Sequence, residues 1–466
     1  MNQDPHGPRA DRIEGDSNLS SHRRSWSGAL GPNTRALLAE DGRYYLHQSL
    51  SSPCLDAVRA VEGIWIESVD GRRYMDFHGN SVHHIGHRHP RLINALKDQL
   101  DTLPFAPRRF TSEPAVALDR KLAKIAPAPL EKVLLAPSGS DAIEIAIKLA
   151  RIATGRFKTI SFWDAFHGAG FGGASVGGEA TFRAAPMGPL LAGAEHVAPF
   201  YCYRCPYGHP APDGKPDLDV CAMACAKFIR YVLEKEGDVA AVIAEPLRSI
   251  PYIPPPGFWA SVRAACDDHG ALLIFDEIPN GLGKTGRMFV CEHFDVVPDI
   301  LVLGKALGGG AVPIAAVIAR ASLDIAGDRA IGHYTHEKNP LLCRAALTTI
   351  AIIEDQGLAE NARVVGAHAL ARLDAMRARH PAIGDVRGLG LLMGVELVSD
   401  RTTKSPANDL AEAVLYRALA QGLVFKLSMG NVITLTPPLT ITIAEMDAAL
   451  DILERSLDDA MVETRT

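Results

Sequence analysis

The sequence has neither a block of basic residues nor a long apolar run, and both absences narrow its possible functions. It carries 48 Lys and Arg against 54 Asp and Glu, a formal net charge of −6. Nucleic acid and anionic membrane surfaces are therefore not expected partners. No apolar run reaches the ~18 residues of a membrane-spanning helix. The segment 1–18 is polar and lacks the apolar core of a secretory signal, so we expect a cytoplasmic protein.

Cysteines are few, and in the cytoplasm the eight present should be thiols. Four of them form a CxxC followed by a CxxxC: Cys202, Cys205, Cys221 and Cys225. This spacing is typical of zinc in small domains. The first pair lies in a segment rich in proline and glycine, Tyr201–Pro216, and a structural insertion of free thiols is the preferred interpretation.

A predicted buried strand that ends in a lysine is the central feature of the chain. The apolar run Ile300–Leu303 predicts the strand. Lys305 follows after one glycine, and three consecutive glycines come next at 308–310. Burial lowers the pKa of a lysine and makes its amine a candidate Schiff-base nucleophile. A lysine that reaches solvent from a strand end is the alternative.

A second apolar run, Ala271–Phe275, leads into two carboxylates, Asp276 and Glu277. Ionised carboxylates at the end of a buried strand need a cationic partner. A protonated pyridine nitrogen would serve, and an Asp on that nitrogen is what pyridoxal 5'-phosphate (PLP) chemistry requires. Lys305 lies 29 residues after Asp276, which leaves room for a crossover between parallel strands.

A turn of small residues, Ser138–Ser140, links the apolar run Val133–Ala136 to a helical pattern over Ala142–Ala153. Free N–H groups and the helix dipole at such a position favour a phosphate. The alternative is an ordinary capping box, in which Ser140 or Asp141 pairs with Glu144.

Helical patterns alternate with apolar runs from about residue 115 to residue 345. The runs are Val133–Ala136, Thr159–Phe162, Val239–Ala244, Leu272–Phe275 and Ile300–Leu303. This alternation predicts an α/β fold with a mostly parallel sheet and helices on both faces. Ligands bind at the carboxyl ends of strands in such sheets, and Ser140, Glu245, Asp276 and Lys305 each come just after a predicted strand.

Further predicted elements flank this region. Residues 63–77 predict a hairpin that turns at Asp70-Gly71, and Pro90 opens a helix. The C-terminal part predicts helices and strands in the order helix Leu342–Ala375, strand Gly390–Val398, helix Asp409–Gln421, strand Val432–Leu435 and helix Ile443–Val462.

Together these stretches resemble the class III (ornithine and ω-amino acid) aminotransferases, PLP enzymes of fold type I. The resemblance covers roughly residues 45 to 460. It is carried by Gly86-His87-Arg88-His89-Pro90, Ser138-Gly139-Ser140-Asp141, Phe166-His167-Gly168, Glu245-Pro246, Asp276-Glu277-Ile278, Gly283-Lys284-Thr285-Gly286, Lys305, Thr335 with Asn339-Pro340, Arg387-Gly388-Leu389-Gly390 and Pro437-Pro438-Leu439.

The resemblance implies a large PLP-binding domain with a mostly parallel sheet and a smaller α+β domain. We place a flexible N-terminal arm at 1–30, the first part of the small domain at 31–80, the large domain at 81–345 and the rest of the small domain at 346–466. Four histidines, His83, His84, His87 and His89, fall in the loop that this family uses at the mouth of the active site. No carboxylate or cysteine lies within that loop, so we expect no metal.

The resemblance also implies a role for each candidate site residue. Lys305 would attach PLP as a Schiff base and move protons at the substrate carbon, and Asp276 would keep the pyridine nitrogen protonated. Ser138, Gly139 and Ser140 would bind the phosphate. The other implied cofactor contacts are Phe166 on the ring face, His167 beside it, Glu245, Ile278, and Thr335 reaching the phosphate of the neighbouring subunit, which implies a homodimer.

Two departures from the family pattern change the expected reaction. Pro279 stands where the family usually has a Gln near the phenolic oxygen. Thr434 stands where most members that bind an α-carboxylate have an Arg, and Thr cannot form the bidentate fork that holds a carboxylate. An α-amino acid, or 2-oxoglutarate as amino-group acceptor, should therefore bind poorly.

A PLP enzyme without an acceptor can act as a lyase. The variant at 279–282, the pair Arg108-Arg109, Thr434 and the segment 15–24 resemble the (R)-1-hydroxy-2-aminoethylphosphonate ammonia-lyase branch of the family. This branch implies β-elimination from a small anionic amine, giving phosphonoacetaldehyde and ammonia. Arg109 would bind the anion, with Arg108 and Arg248 as further candidates.

Two other functions remain open. One is a class III aminotransferase that moves an ω-amino group to a keto acid. The other is a regulator or binding scaffold with a PLP fold, which is disfavoured because Lys305, Asp276 and the phosphate turn are all present.

Overall fold

The computed structural model describes residues 20–48, 51, 54–183, 187–211 and 213–463. Its strands are β1 (Val58–Glu62), β2 (Trp65–Ser68), β3 (Arg73–Asp76), β4 (Leu130–Ala136), β5 (Lys158–Phe162), β6 (Ala194–Val197), β7 (Val239–Ala244), β8 (Leu272–Asp276), β9 (Ile300–Leu303), β10 (Ala315–Arg320), β11 (Ile383–Leu389), β12 (Leu392–Asp400), β13 (Ser405–Pro406), β14 (Leu423–Val424), β15 (Lys426–Ser428) and β16 (Val432–Leu435).

Its α-helices are α1 (Ser21–Gly28), α2 (Pro32–Tyr44), α3 (Pro90–Thr102), α4 (Glu113–Ile125), α5 (Gly139–Thr154), α6 (Phe171–Val176), α7 (Leu218–Cys221), α8 (Ala224–Glu236), α9 (Phe258–His269), α10 (Pro340–Asp355), α11 (Leu358–Arg379), α12 (Asn408–Ala420) and α13 (Ile443–Glu463).

The chain divides into two compact units. Pro90–Glu360 forms the large unit, and Met1–His89 together with Asn361–Thr466 forms the small unit. These boundaries lie later than the expected ones at residues 80 and 345. At the second boundary the reason is visible, because α10 packs against α3 and α4 of the large unit.

The large unit contains a seven-stranded sheet in the order β4-β10-β9-β8-β7-β5-β6. Strands β5 to β9 pair in parallel, and β10 runs antiparallel between β9 and β4. The predicted mostly parallel α/β sheet is therefore confirmed.

Helices cover both faces of this sheet, as side-chain alternation along β8 shows. Ile274 is buried in the core cluster formed with α5. Its neighbour Phe275 points to the opposite face, where its ring centre lies 4.7 Å from that of Trp259 in α9. Strands buried on both faces have continuous apolar sequences, which is why β7 and β9 could be recognised from sequence.

The small unit contains two sheets, in the orders β1-β2-β3-β14 and β11-β12-β16-β15, with β13 paired to β12. The predicted hairpin is present as β2 and β3, and Gly71 in its turn has φ +83°. The single helix predicted over Leu342–Ala375 is wrong. It is two helices, α10 and α11, separated at Gly357 with φ +60°, and this left-handed conformation terminates a helix.

The expected flexible arm at 1–30 needs correction from residue 20 onward, and residues 1–19 lie outside the described residues. Helix α1 begins after the N-cap Ser20, whose side chain accepts a hydrogen bond from the Arg23 amide. Trp26 is buried, and its indole N–H donates to the Leu55 carbonyl at 2.7 Å. A buried, hydrogen-bonded tryptophan attaches this helix to the small unit.

Across the part of the chain that the structure describes, no helix is both long enough and apolar enough to cross a membrane.

Candidate active site

Three side chains predicted to form the site follow neighbouring parallel strands of the large unit. Glu245 follows β7, Asp276 ends β8 and Lys305 follows β9. Because β7 pairs with β8 and β8 with β9 in parallel, all three lie at the same edge of the sheet. This is the edge where α/β sheets bind ligands.

Lys305 occupies an unusual environment. It is half-buried, and its φ of +43° lies in the left-handed region that non-glycine residues rarely adopt. Burial lowers the pKa of its amine, although Glu245 and Asp276 partly oppose this effect by favouring the ammonium. No residue in the described part of the chain forms a hydrogen bond or ion pair with the side-chain amine of Lys305. An amine of this kind can act as a nucleophile.

Asp276 is buried and held in one orientation. One carboxylate oxygen lies 2.8 Å from Nδ1 of His167, and the other accepts a hydrogen bond from the Ile278 amide at 3.0 Å. The bond to His167 requires a proton on Nδ1. Nε2 of His167 is buried and has no hydrogen-bond partner among the described residues. Buried polar atoms are normally paired, so this nitrogen is suited to a ligand atom.

Glu277, the second carboxylate after β8, is not available to the site. It is buried and accepts hydrogen bonds from the amides of Val290 at 2.6 Å and Cys291 at 2.8 Å. Burial raises its pKa to about 7. Its role is to fix the turn after the strand.

At the start of α5 the N-cap is Ser138, whose hydroxyl oxygen accepts from the Asp141 amide at 3.2 Å. The alternative capping box that involves Glu144 is therefore wrong. Glu144 instead accepts from the Gly173 amide at 3.1 Å. Ser140 keeps its hydroxyl near the loop after β5 and accepts from the Ala169 amide at 3.3 Å.

Glycines let the loops around this helix start approach one another closely. A Cβ on Gly139 would lie 2.9 Å from Ile278, and one on Gly304 would lie 3.2 Å from the same side chain. Half-buried Ile278 thus contacts both the turn before α5 and the residue before Lys305. Phe166 is also half-buried, and its ring centre lies 4.5 Å from that of Phe182.

Glu245 is paired with Arg248 rather than facing an empty cavity. Both are buried, and Nη1 of Arg248 donates to Glu245 at 2.6 Å. Arg248 also donates to the Asp164 carbonyl. Burial acts against the Arg248 charge, but Glu245 and then Glu179 raise its pKa. Arg248, a candidate for substrate binding, is thus already engaged.

Arg108, Arg109 and Thr335 lie on two loops that contact each other. Nη2 of Arg108 lies 2.9 Å from Nε2 of His333, and the rings of Phe105 and His336 meet edge to face at 5.6 Å. Arg109 and Thr335 are both exposed. No hydrogen bond or ion pair between described residues connects these loops to Lys305 or Asp276.

Two ionisable residues, one buried and one half-buried, were not identified from sequence. Glu179 lies beside Arg248, with 3.9 Å between Nη2 and the nearer carboxyl oxygen. Lys426 lies directly opposite Thr434 in the β15–β16 pair, and burial lowers its pKa to about 7. Neither residue belongs to a recognisable motif, and only the folded chain shows that Glu179 is buried and Lys426 half-buried.

In the small unit, Asp76 provides a carboxylate next to the loop that contains His83 and His87, although that loop has no carboxylate of its own. Oδ2 of Asp76 lies 2.8 Å from Nε2 of His87 and 3.9 Å from Nε2 of His83. Among the described residues this is the one group of at least three metal-ligating atoms within 4.8 Å of one another. Cys202, Cys205, Cys221 and Cys225 are half-buried free thiols and form no such group. The absence of a metal stays a prediction.

The described residues of the large unit fit PLP. Asp276 supplies a buried carboxylate for a pyridinium, His167 has an unused buried nitrogen, and Lys305 is an amine with a lowered pKa. The glycine-containing start of α5 provides a cradle for phosphate.

Comparisons with known proteins agree with this geometry. The family model for class III aminotransferases matches residues 47–457. The chain is 46% identical over 457 residues to the (R)-1-hydroxy-2-aminoethylphosphonate ammonia-lyase of Vibrio splendidus, covering 96% of this chain and 95% of that protein. It is 38% identical to the leucine/methionine racemase of Thermococcus litoralis, covering 86% and 90%. The ω-transaminase from Pseudomonas jessenii in complex with PMP superposes with a TM-score of 0.84 at 29% identity, covering 91% and 98%.

Proposed function

Because the chain belongs to the class III aminotransferase family and is a PLP-dependent enzyme, we propose that it is an ammonia-lyase. Its substrate is a small amine with a phosphonate or phosphate, most specifically (R)-1-hydroxy-2-aminoethylphosphonate. The products are phosphonoacetaldehyde and ammonia. The observation that carries this proposal is the 46% identity to the Vibrio splendidus lyase across 96% of the chain.

In this reaction PLP, when bound, supplies the electron sink. Asp276 holds the proton on the pyridine nitrogen, and its hydrogen bonds from His167 and the Ile278 amide fix the carboxylate for that task. The N–H groups at Gly139 and Ser140 receive the phosphate at the start of α5. Phe166, Ile278 and Glu245 complete the cofactor surroundings on the same unit.

Lys305 attaches the cofactor and then moves protons. The amine of Lys305 would take a proton from the carbon that bears the substrate nitrogen. The hydroxyl on the neighbouring carbon leaves, and Lys305 can return the proton to it, so that water is expelled. Water then releases ammonia and the aldehyde, which balances the water lost. The lowered pKa of Lys305 suits an amine that must both take and give a proton.

The phosphonate of the substrate needs a cationic partner. Thr434, which stands where most carboxylate-binding members of the family have an Arg, does not provide one. Thr434 is buried in β16, and its hydroxyl donates to Ser428 at 3.0 Å. Arg248 is held by Glu245. We therefore assign the phosphonate to Arg109, with Arg108 as second choice and Arg248 as third. Arg109 is exposed and makes no hydrogen bond or ion pair with the described residues.

The proposed enzyme is a homodimer in which Thr335 reaches the PLP phosphate of the neighbouring subunit. Thr335 is exposed and makes no hydrogen bond among the described residues. The loop of Arg108 and Arg109 contacts the loop of Thr335 through Arg108 and His333. Arg109 should therefore also bind the substrate in the active site of the neighbouring subunit. A mixed dimer of a Lys305→Ala chain and an Arg109→Ala chain tests this. In this dimer only the Arg109→Ala chain keeps Lys305, and only its partner keeps Arg109. If Arg109 acts across the dimer, the one active site should show near-wild-type KM. If Arg109 acts within its own chain, KM should stay as high as in the Arg109→Ala homodimer.

A cytoplasmic location is part of the proposal. All eight cysteines are free thiols in the structure, which suits a reducing compartment. Fractionation of the native cells should recover the enzyme with cytoplasmic markers.

The decisive assay incubates the purified holoenzyme with (R)-1-hydroxy-2-aminoethylphosphonate and no keto acid. The proposal expects ammonia and aldehyde in equal amounts over many turnovers. The alternative is an aminotransferase, which the transaminase fold of the solved structures favours. It would stop after one turnover and resume on addition of a keto acid, and this outcome would replace the lyase assignment.

A further inference from the structure

Glu179 is a buried carboxyl group for which the proposed reaction has no use. The residue is 4% exposed, and neither carboxyl oxygen has a hydrogen-bond partner among the described residues. A buried, unbonded carboxyl group costs free energy. Such groups in native proteins call for an explanation, often a functional one.

The backbone holds Glu179 firmly in this position. The amides of Gly178 and Glu179 both donate to the Ala165 carbonyl, at 2.8 and 3.2 Å. Ala165 lies in the loop after β5 that carries Phe166 and His167 at the cofactor site. Glu179 is thus placed by the same loop that shapes the site.

The cation nearest to Glu179 is Arg248. Nη2 of Arg248 lies 3.9 Å from Oε2 of Glu179, too far for a hydrogen bond. A movement of about 1 Å would close the gap to hydrogen-bond length. On its other side Arg248 already donates to Glu245 at 2.6 Å. One buried guanidinium therefore lies between two buried carboxyl groups, bonded to one and within easy reach of the other.

Glu245 in turn acts on Lys305. Among the described residues, Glu245 is the carboxylate that most strongly favours the Lys305 ammonium, and Arg248 opposes it. We propose that Glu179 is a second acceptor for the Arg248 guanidinium, and that the choice of Arg248 between Glu179 and Glu245 sets how strongly Glu245 stabilises the Lys305 ammonium. This inference rests on the proposed role of Lys305, but not on the identity of the substrate.

The charge of Glu179 decides how well it competes for Arg248. Burial raises its pKa to about 7; Arg248 opposes the rise, while Asp164 and Glu245 add to it. These are the charged groups that face it among the described residues. Near neutral pH both forms are populated. An ionised Glu179 draws Arg248 away from Glu245, which then favours the protonated lysine, and a neutral Glu179 leaves Arg248 on Glu245.

Substrate-free holoenzyme provides the test, through the pH midpoint of the cofactor absorbance, which reports protonation at Lys305. Glu179→Gln removes the competing charge, so Arg248 stays on Glu245 and the midpoint should fall by about half a pH unit or more. Asp119→Asn is the matched control: this half-buried carboxyl on α4 also has a pKa raised by burial, to about 6, and its variant should leave the midpoint unchanged.

A second pair of variants shows whether the effect passes through Glu245. In a Glu245→Gln background, Glu179→Gln should cause no further shift. An equal shift in both backgrounds, or no shift in folded Glu179→Gln, overturns the proposal. If Glu179→Gln does not fold, Glu179→Asp replaces it: the shorter side chain reaches Arg248 less well and should lower the midpoint partway, and an unchanged midpoint would again overturn the proposal. Because no substrate is present, failure of the lyase assignment leaves this result intact.

Discussion

Two regions of the molecule pair a buried aspartate with histidine, and they differ in what remains unbonded. In the small unit, Asp76 accepts hydrogen bonds from the amides of His78 and Gly79, contacts His87 at 2.8 Å and accepts from His83 through its backbone carbonyl. In the large unit, Asp276 is bonded to His167, but Nε2 of that histidine has no partner among the described residues.

The same difference extends to the neighbours of each aspartate. At the same edge of the sheet as Asp276 lies Lys305, whose side-chain amine forms no hydrogen bond or ion pair with the described residues, and Glu179, with two unbonded oxygens, lies beside Arg248. The Asp76 carboxylate is itself fully bonded: burial acts to raise its pKa, but the hydrogen bond from His87, the charge of His83 and the bond from the His78 amide lower it. We infer that a fully bonded carboxylate supports the fold, whereas unbonded groups at the end of a parallel sheet mark the candidate ligand site.

The largest effect is expected on removal of the Lys305 amine, which lies in the region of the large unit with unbonded polar groups. Lys305→Ala should abolish turnover, since no other group can attach the cofactor and move the proton. Its thermal unfolding should stay close to wild type, because the side-chain amine of Lys305 makes no hydrogen bond or ion pair with the described residues. Steady-state assays and calorimetry check both points. Residual multiple turnover would place the nucleophile elsewhere.

Asp276→Asn tests the same region with a smaller change. Asn cannot hold the pyridine proton, so the chemical step should slow by about 10²-fold or more, as expected on loss of one preorganised electrostatic partner. Single-turnover kinetics with saturating PLP measure this step. Near-normal rates with PLP bound would show that Asp276 does not face the pyridine nitrogen.

Asp76→Asn is the matching change in the satisfied region and should act on stability instead. Removing the charge from a buried, hydrogen-bonded network should lower the free energy of unfolding by about 3 kcal/mol at neutral pH. The folded-state pKa of Asp76 is lowered, so its charge contributes stability above the unfolded pKa, near 4. That contribution is lost as the pH falls below this value.

The difference in stability between Asp76→Asn and wild type should therefore shrink in acid. Denaturant titrations at pH 7 and pH 3 measure it, with kcat measured alongside at pH 7. A large loss of kcat without loss of stability would show that Asp76 serves catalysis rather than the fold, which contradicts the distinction between the two regions.

Arg109→Ala is expected to have the smallest effect. Arg109 is exposed, so loss of one charge-assisted contact to the phosphonate should raise KM about tenfold, or ~1.4 kcal/mol. PLP occupancy should not change. Arg108→Ala, on the adjacent residue, is the comparison. Wild-type KM in both variants would move the anion site elsewhere, with Arg248 the next cation to test.

Sequence alone predicted those parts of the site that follow from strand ends. Asp276 and Lys305 could be placed because the apolar runs Leu272–Phe275 and Ile300–Leu303 each lead, at once or after one glycine, into a charged residue. The cap at Ser138 could not be separated from alternatives at Ser140, because several small polar residues compete for the same amides. The break at Gly357 was missed because glycine is also tolerated inside helices.

Glu179 was invisible to sequence analysis for a different reason. Its burial depends on packing between the loop after β5 and the residues after α6, and no local pattern reports such contacts. Lys426 was missed likewise, because its position opposite Thr434 is a matter of strand register. The environments of Glu179 and Lys426 depend on contacts between segments that are distant in the chain, so they could not be predicted from local sequence patterns.

The claim that the unsatisfied strand ends of the large unit hold the cofactor is tested most directly by borohydride reduction of the holoenzyme, followed by peptide mapping. Reduction fixes PLP to the lysine that carries it. We predict one phosphopyridoxyl label per chain, on the peptide that contains Lys305. A label on any other lysine, such as the buried Lys284, would contradict the assignment.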